Sequence, residues 1–254
     1  MSAPQAENQP ILAVTDLVSG YDPGVPIVRG ASMTVAPGEI VVILGPNGAG
    51  KSTFIKSIAG LVPKQSGSVR LEGREIAALP AHRLVHEGLA FVPQTENVFG
   101  QMSVEDNLRL AAGILPKAER APQLDKMYGM FADLARQRHL SAGRLSGGQR
   151  QMVAVARALM VSPRVVMLDE PSAGLSPKLV EQVFVNLAGI RKAGVTIVLV
   201  EQNARAALAI ADRAYILAEG RNAHEGGAAD LWNDPAIAAL YLGGGKLRSK
   251  EVPA

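Results

Sequence analysis

Three short runs in this chain carry groups that can bind a phosphate chain and act on it. The first, Gly45-Pro46-Asn47-Gly48-Ala49-Gly50-Lys51-Ser52, fits G-x-x-x-x-G-K-[ST] and continues into Thr53. Glycines at these spacings let backbone N–H groups close on phosphate oxygens at the start of a helix, where unsatisfied donors and the helix dipole favour an anion. Lys51 can then reach the β- and γ-phosphates, and the Ser52 hydroxyl can bind Mg2+. The second run, Leu168-Asp169-Glu170, ends the apolar stretch that begins at Val165. Carboxylates at the carboxyl end of a buried strand lie where α/β sheets place ligands. Asp169 suits a Mg2+ held through water, and Glu170 suits a group that orients or deprotonates attacking water. Without the phosphate loop, adjacent acids there would read as a turn or a helix cap. With it, the metal and base roles are the expectation.

The third run, Leu145-Ser146-Gly147-Gly148-Gln149, heads a helical pattern that continues to Met160. It is a second amide-rich helix start suited to phosphate. Two readings are open on the residues alone. One chain can bind two phosphates, or two chains can face each other head to tail, each glycine run closing the other's nucleotide.

These groups need a scaffold, and the hydrophobic pattern supplies one. Apolar runs alternate with helical patterns, which predicts an α/β domain with a mostly parallel sheet covered by helices. Strands are expected at Ile11 to Val18, Ala31 to Val35, Ile40 to Leu44, Val69 to Gly73 and Leu89 to Val92. Lys51 to Ala59 should form the helix after the phosphate loop. Strands resume at Val165 to Leu168, Val195 to Val200 and Ala214 to Leu217, with helices around Pro177 to Lys192 and Asn203 to Ala211.

The stretch from Ser103 to Arg138 reads as helical instead. Ser103 followed by Asp106 resembles a capping box, and Leu124, Met127, Phe131 and Leu134 repeat at helical spacing, a core-packing pattern. This insert implies one domain, 11–243, with two lobes. A core lobe takes about 11–93 and 163–243, a helical lobe takes about 94–162, and 1–10 and 244–254 are expected to be flexible termini.

Composition narrows the function classes. The chain has 254 residues, 48% hydrophobic and 19% charged, the profile of a globular protein with a substantial core. Its net charge of +3 argues against a nucleic-acid partner, which usually calls for a clustered basic face. The basic run Lys246 to Lys250 reads as a solvated terminus. There are no cysteines, so disulfides, thiolate metal sites and a Cys nucleophile are excluded. No apolar stretch approaches the roughly 18 residues that span a bilayer, so any membrane role must come through a partner. Met1 to Pro10 has no signal-peptide core.

Taken in order, the three motifs resemble those of ABC transporter nucleotide-binding domains, over about residues 11 to 243. The resemblance implies an ABC ATPase fold: a P-loop NTPase (RecA-like) parallel-sheet core, an antiparallel β part at the N-terminus and an inserted α-helical subdomain. It implies ATP and Mg2+ as cofactors, and a second ABC ATPase subunit whose γ-phosphate is contacted by Ser146, Gly147, Gly148 and Gln149. Tyr21 corresponds to the aromatic residue that stacks on adenine. Gln94, after Phe91-Val92-Pro93, matches the glutamine that senses Mg2+ and faces the membrane partner. Ser172-Ala173-Gly174-Leu175 matches the loop that crosses the dimer interface.

One position departs from the family pattern. Where a His that contacts the γ-phosphate usually follows the strand, this chain has Glu201-Gln202-Asn203. Gln202 can donate a hydrogen bond to phosphate but cannot carry the charge of an imidazolium. Glu170 is therefore left as the main candidate base.

Finer wording resembles the F-type ATPase subunit of branched-chain amino-acid importers: Val200-Glu201-Gln202-Asn203, Gly147 to Met152, and Tyr241-Leu242-Gly243-Gly244. Such systems imply a related ATPase subunit, transmembrane permease subunits, an external substrate-binding protein, and a place on the cytoplasmic face of the membrane. A urea or amide importer, an exporter, or a soluble ABC ATPase acting on ribosomes or DNA are the alternatives. Soluble relatives usually fuse two cassettes or carry a long coiled coil, and this chain does neither.

Overall fold

The computed structural model describes residues 9–235 and 237. The chain begins with β1 (Leu12–Ser19) and β2 (Val28–Val35), then β3 (Ile40–Leu44), which feeds the glycine loop and α1 (Lys51–Ile58). Next come β4 (Lys64–Leu71), β5 (Arg74–Glu75), the short α2 (Ala81–Leu84) and β6 (Leu89–Val92). The helical stretch follows: α3 (Val104–Ala111), α4 (Lys117–Met130), α5 (Ala132–Arg136) and α6 (Gly147–Leu159). Then β7 (Val165–Asp169), α7 (Pro177–Lys192), β8 (Thr196–Val200), α8 (Ala204–Leu208), β9 (Arg213–Ala218), β10 (Arg221–Gly227) and α9 (Ala228–Asn233) complete the described fold.

Two sheets result. A six-stranded sheet runs β10-β9-β3-β8-β7-β6, and a four-stranded antiparallel sheet runs β2-β1-β4-β5. Every residue of β3, β7 and β8 is buried, as expected for central parallel strands covered on both faces. Because side chains alternate across a strand, the two faces of β3 enter different cores. Ile40, Val42 and Leu44 pack with α6, α7 and α8, whereas Val41 and Ile43 pack with α1 and the antiparallel sheet. Phe54, Ile55 and Ile58 hold α1 between the two sheets, so the helix that follows the glycine loop is clamped from both sides.

The central strands start and stop close to where the apolar runs place them. The large sheet is mostly parallel, as the pattern predicts, and β10 joins it antiparallel to β9. Its sequence, Arg221–Gly227, is mostly exposed and lacks apolar alternation, so periodicity gives no sign of it. β2 and β4 begin earlier than their apolar cores, because Val28–Gly30 and Lys64–Ser68 are recruited by hydrogen bonding to β1 across bulges. The stretch from 103 to 138 is three helices with a 3-10 turn at Ala112–Ile114 between the first two. Leu124, Met127, Phe131 and Leu134 are all buried in the core, and Ser103 and Asp106 form the capping box. The segments 1–8 and 238–254, with the expected termini and the Tyr241–Gly244 wording, lie outside the described residues.

Candidate functional site

Parallel packing brings the carboxyl ends of β6, β7, β8 and β3 to one edge of the large sheet. β3 delivers Gly45, β7 delivers Asp169 and Glu170, β8 delivers Glu201 and Gln202, and β6 delivers Gln94. Residues far apart in sequence meet there because neighbouring parallel strands end together.

The glycine loop is shaped by its backbone. At Gly45, φ is 142°, and a Cβ would lie 2.1 Å from the Leu217 carbonyl oxygen, so only glycine fits. Gly50 takes the left-handed conformation at the N-cap of α1, and no side chain caps that helix. No acidic residue occupies its first turn, so the start of α1 keeps the donors and positive dipole end that receive an anion. Pro46, Asn47 and Gly48 are exposed, while Ala49, Lys51 and Thr53 are buried.

Lys51 folds back over this loop. Its Nζ donates to the carbonyl oxygens of Gly45 (2.9 Å) and Pro46 (3.0 Å). Burial pulls its pKa below the ordinary lysine value, opposed by the nearby carboxylates of Glu170 and Asp169. The ammonium therefore sits ready beside the loop and can exchange two carbonyl partners for anionic oxygens.

Asp169 is buried. Its Oδ1 accepts from the Ser52 hydroxyl at 2.8 Å. Its Oδ2 accepts no hydrogen bond, although Lys56 Nζ lies 3.4 Å away as an ion-pair partner. A buried carboxylate oxygen that accepts no hydrogen bond, beside a serine hydroxyl, is the type of donor set a hard cation takes. The residues present fit Mg2+.

Glu170 holds φ at +48°, outside the usual range for a non-glycine residue, and its N–H donates to the Val200 carbonyl at 2.9 Å. Its Oε2 accepts from Gln94 Nε2 at 3.1 Å and from Gln202 Nε2 at 2.8 Å. Two neutral amides therefore fix one carboxylate oxygen. The site thus gathers Gly45 to Thr53, Gln94, Asp169, Glu170 and Gln202.

Two predicted groups stand apart. Tyr21 is 55% exposed, and its hydroxyl makes no hydrogen bond among the described residues. Ser146 to Gln149 make no hydrogen bond to the residues gathered around Asp169 and Glu170. They form a capping box of their own: Gln149 N–H donates to Ser146 Oγ (3.3 Å) and Ser146 N–H to Gln149 Oε1 (3.0 Å). A Cβ at Gly147 would approach Leu175 Cδ2 to 2.7 Å, and one at Gly148 would approach Leu179 Cδ2 to 3.2 Å.

Sequence reasoning gave no role to Lys56 or Glu201. Lys56 carried a signal, since it follows Ser52 by one helical turn. Glu201 carried the same signal as Asp169 and Glu170, a carboxylate at the carboxyl end of a buried strand, and it is only 2% exposed.

Beside Gln94 the surface opens into a groove of about 300 Å³ lined by Val85, Phe91, Pro93, Glu96, Asn97 and Arg157. Arg157 donates through Nη1 to the Asn97 carbonyl (2.6 Å) and lies 4.7 Å over the Phe99 ring. Its Nε is buried without a partner.

The family model described as ABC transporter matches residues 28–173. The chain is 42% identical, over 90% of its length and 98% of the relative's, to the high-affinity branched-chain amino acid transport ATP-binding protein BraG of Pseudomonas aeruginosa. It is 45% identical, over 81% of its length and 87% of the relative's, to the probable branched-chain amino acid transport ATP-binding protein LivF of Archaeoglobus fulgidus. Its fold resembles the ADP conformation of MJ1267, an ATP-binding cassette of an ABC transporter, with a TM-score of 0.81 and 28% identity, covering 91% of this chain and 98% of that one.

Proposed function

The chain belongs to the ABC transporter family, as an ATP-binding, ATP-hydrolysing subunit, and on that premise we propose that it powers uptake of branched-chain amino acids through a permease. The observation that carries the catalytic part is the meeting of Lys51, Ser52, Asp169 and Glu170 at one sheet edge, next to an uncapped helix start.

In this reading residues 11–243 form one ATP-binding unit of two lobes, with 94–162 as the helical one. The N–H groups of the Gly45–Lys51 loop take the phosphates, and the Tyr21 ring takes the adenine. Lys51 moves from its carbonyl partners to the β- and γ-phosphate oxygens. Ser52, Asp169 and the Gln94 side-chain oxygen would hold Mg2+. That ion, when bound, neutralises charge on the phosphate oxygens.

Glu170 orients the attacking water and accepts its proton, held in place by Gln94 and Gln202. Gln202 can also turn its amide to a γ-phosphate oxygen, without the charge a histidine would bring. Positioning and charge neutralisation, more than covalent chemistry, then lower the barrier.

Among the described residues Ser146, Gly147, Gly148 and Gln149 make no hydrogen bond to the phosphate-site residues of their own chain, which supports a role at the ATP of a second ABC ATPase subunit, identical or related. ATP favours the closed pair because only that state adds these contacts, and hydrolysis removes the preference. Among the described residues no helix is long and apolar enough to cross a membrane. We place the chain at the cytoplasmic face, held by a permease helix lying in the groove of Phe91, Pro93 and Arg157, with an external binding protein delivering cargo to the permease.

The test is reconstitution. Detergent-extracted permease should co-purify with this chain, and proteoliposomes holding the full system should take up leucine in an ATP-dependent way. ATP-stimulated nucleic-acid binding with no membrane partner would overturn the proposal, and uptake of urea or amides with none of leucine would reassign the cargo.

A further inference from the structure

Glu201 is a buried carboxylate whose contacts are all neutral donors. Its Oε1 accepts from the Ser172 N–H at 3.0 Å. Its Oε2 accepts from the Ser172 hydroxyl (2.8 Å) and from the backbone N–H groups of Gln202 (3.2 Å) and Asn203 (3.4 Å). Burial pushes its pKa above the ordinary glutamate value, while these four bonds pull the other way. A buried carboxylate is costly to keep, and four converging donors are what makes it tolerable.

The two segments it joins both end at the site. On one side Ser172 opens the loop whose Leu175 packs against Gly147 at the start of α6. On the other, Gln202 donates its side-chain amide to Glu170. We propose that Glu201 is a positioning residue that ties the Ser172–Leu175 loop to Gln202 and, through it, to Glu170. A change at the Ser146–Gln149 end of the molecule then reaches the base of the same chain along a continuous set of contacts: Gly147, Leu175, Ser172, Glu201, Gln202, Glu170. Glutamine cannot replace the carboxylate here. Its oxygen still accepts, but its NH2 group confronts donors where Glu201 has an acceptor.

This inference rests on Glu170 being the base, so the test includes Glu170→Gln beside Glu201→Gln, Ser172→Ala and Gln202→Ala. ATP hydrolysis is measured in the assembled transporter, and folding is checked by circular dichroism and ATP binding. Glu201→Gln should lower kcat about tenfold while KM for ATP stays within about twofold, because a base is misplaced and no phosphate contact is lost. Ser172→Ala should lower kcat about threefold, and in a Gln202→Ala background the effect of Glu201→Gln should shrink to less than about threefold.

A folded Glu201→Gln with unchanged kcat, a rise in KM alone, or effects that multiply in full with Gln202→Ala would each overturn the coupling. If Glu201→Gln does not fold, Ser172→Ala decides alone, and an unchanged kcat overturns it. Full activity in Glu170→Gln would overturn the assignment of the base itself, whereas an inactive Glu170→Gln beside a fully active Glu201→Gln removes only the coupling.

Discussion

The two glycine-rich helix starts of this molecule have opposite constructions. The start of α1 is uncapped, with Gly50 in the left-handed conformation, Lys51 folded over the loop, and two carboxylates close by. The start of α6 is closed by its own side chains, Ser146 and Gln149 answering each other's backbone donors. The glycines differ in the same way. Gly45 stands against a backbone carbonyl that cannot move, whereas Gly147 and Gly148 stand against the flexible ends of Leu175 and Leu179. One start has the open donors that the proposed phosphate site requires. The other is satisfied by its own side chains without a ligand, which fits the proposal that it meets the nucleotide of a second subunit.

This contrast can be broken experimentally, beginning with the largest effect. Glu170→Gln should lower kcat about a thousandfold while ATP still binds, the loss expected of a missing general base; single-turnover hydrolysis beside ATP-binding titration checks it. Lys51→Ala should cost about a hundredfold in kcat/KM, since it removes a cation from the phosphates, and steady-state ATPase assays read it directly. Gly45→Ala should destabilise the fold by about 2 kcal/mol through overpacking and a positive φ. Gly147→Ala should cost less than about 1 kcal/mol because Leu175 can swing aside, and thermal melts of the two variants compare them.

Gln202→Ala should slow hydrolysis about tenfold, much less than Glu170→Gln, since one of two amides on the carboxylate remains. Equal losses in a steady-state assay would refute Glu170 as the main base. Ser146→Ala removes a cap and should cost about 1 kcal/mol of stability. ATP affinity of the isolated subunit should stay unchanged, which equilibrium titration tests. A weakened affinity there would mean that α6 serves its own chain's nucleotide and would end the contrast.

Much of this was legible in the residues. The apolar runs Ile40 to Leu44, Leu89 to Val92 and Val165 to Leu168 announced buried strands, because a strand covered on both faces has no polar face to obscure it. A helix was expected around Pro177 to Lys192, and α7 takes those bounds, with Pro177 at its first position and basic residues in its last turn. The polar strand β10 was not legible, since its pairing with β9 depends on backbone hydrogen bonds that carry no side-chain signature.

At the site, sequence identified single groups, and tertiary structure decided their company. The chemistry of the Gly45–Ser52 run and of the adjacent acids after Leu168 follows from residue type and local spacing, properties a linear pattern contains, while the family resemblance marks Gln202 as standing where a histidine is usual. That Gln94 and Gln202 share one oxygen of Glu170, that Lys56 stands beside Asp169, and that Glu201 is buried against Ser172 depend on the strand order β8-β7-β6 and on which helix covers which face. Strand order comes from long-range packing. Contacts across it join residues 76 and 32 positions apart for the two amides alone, separations over which no sequence periodicity reaches.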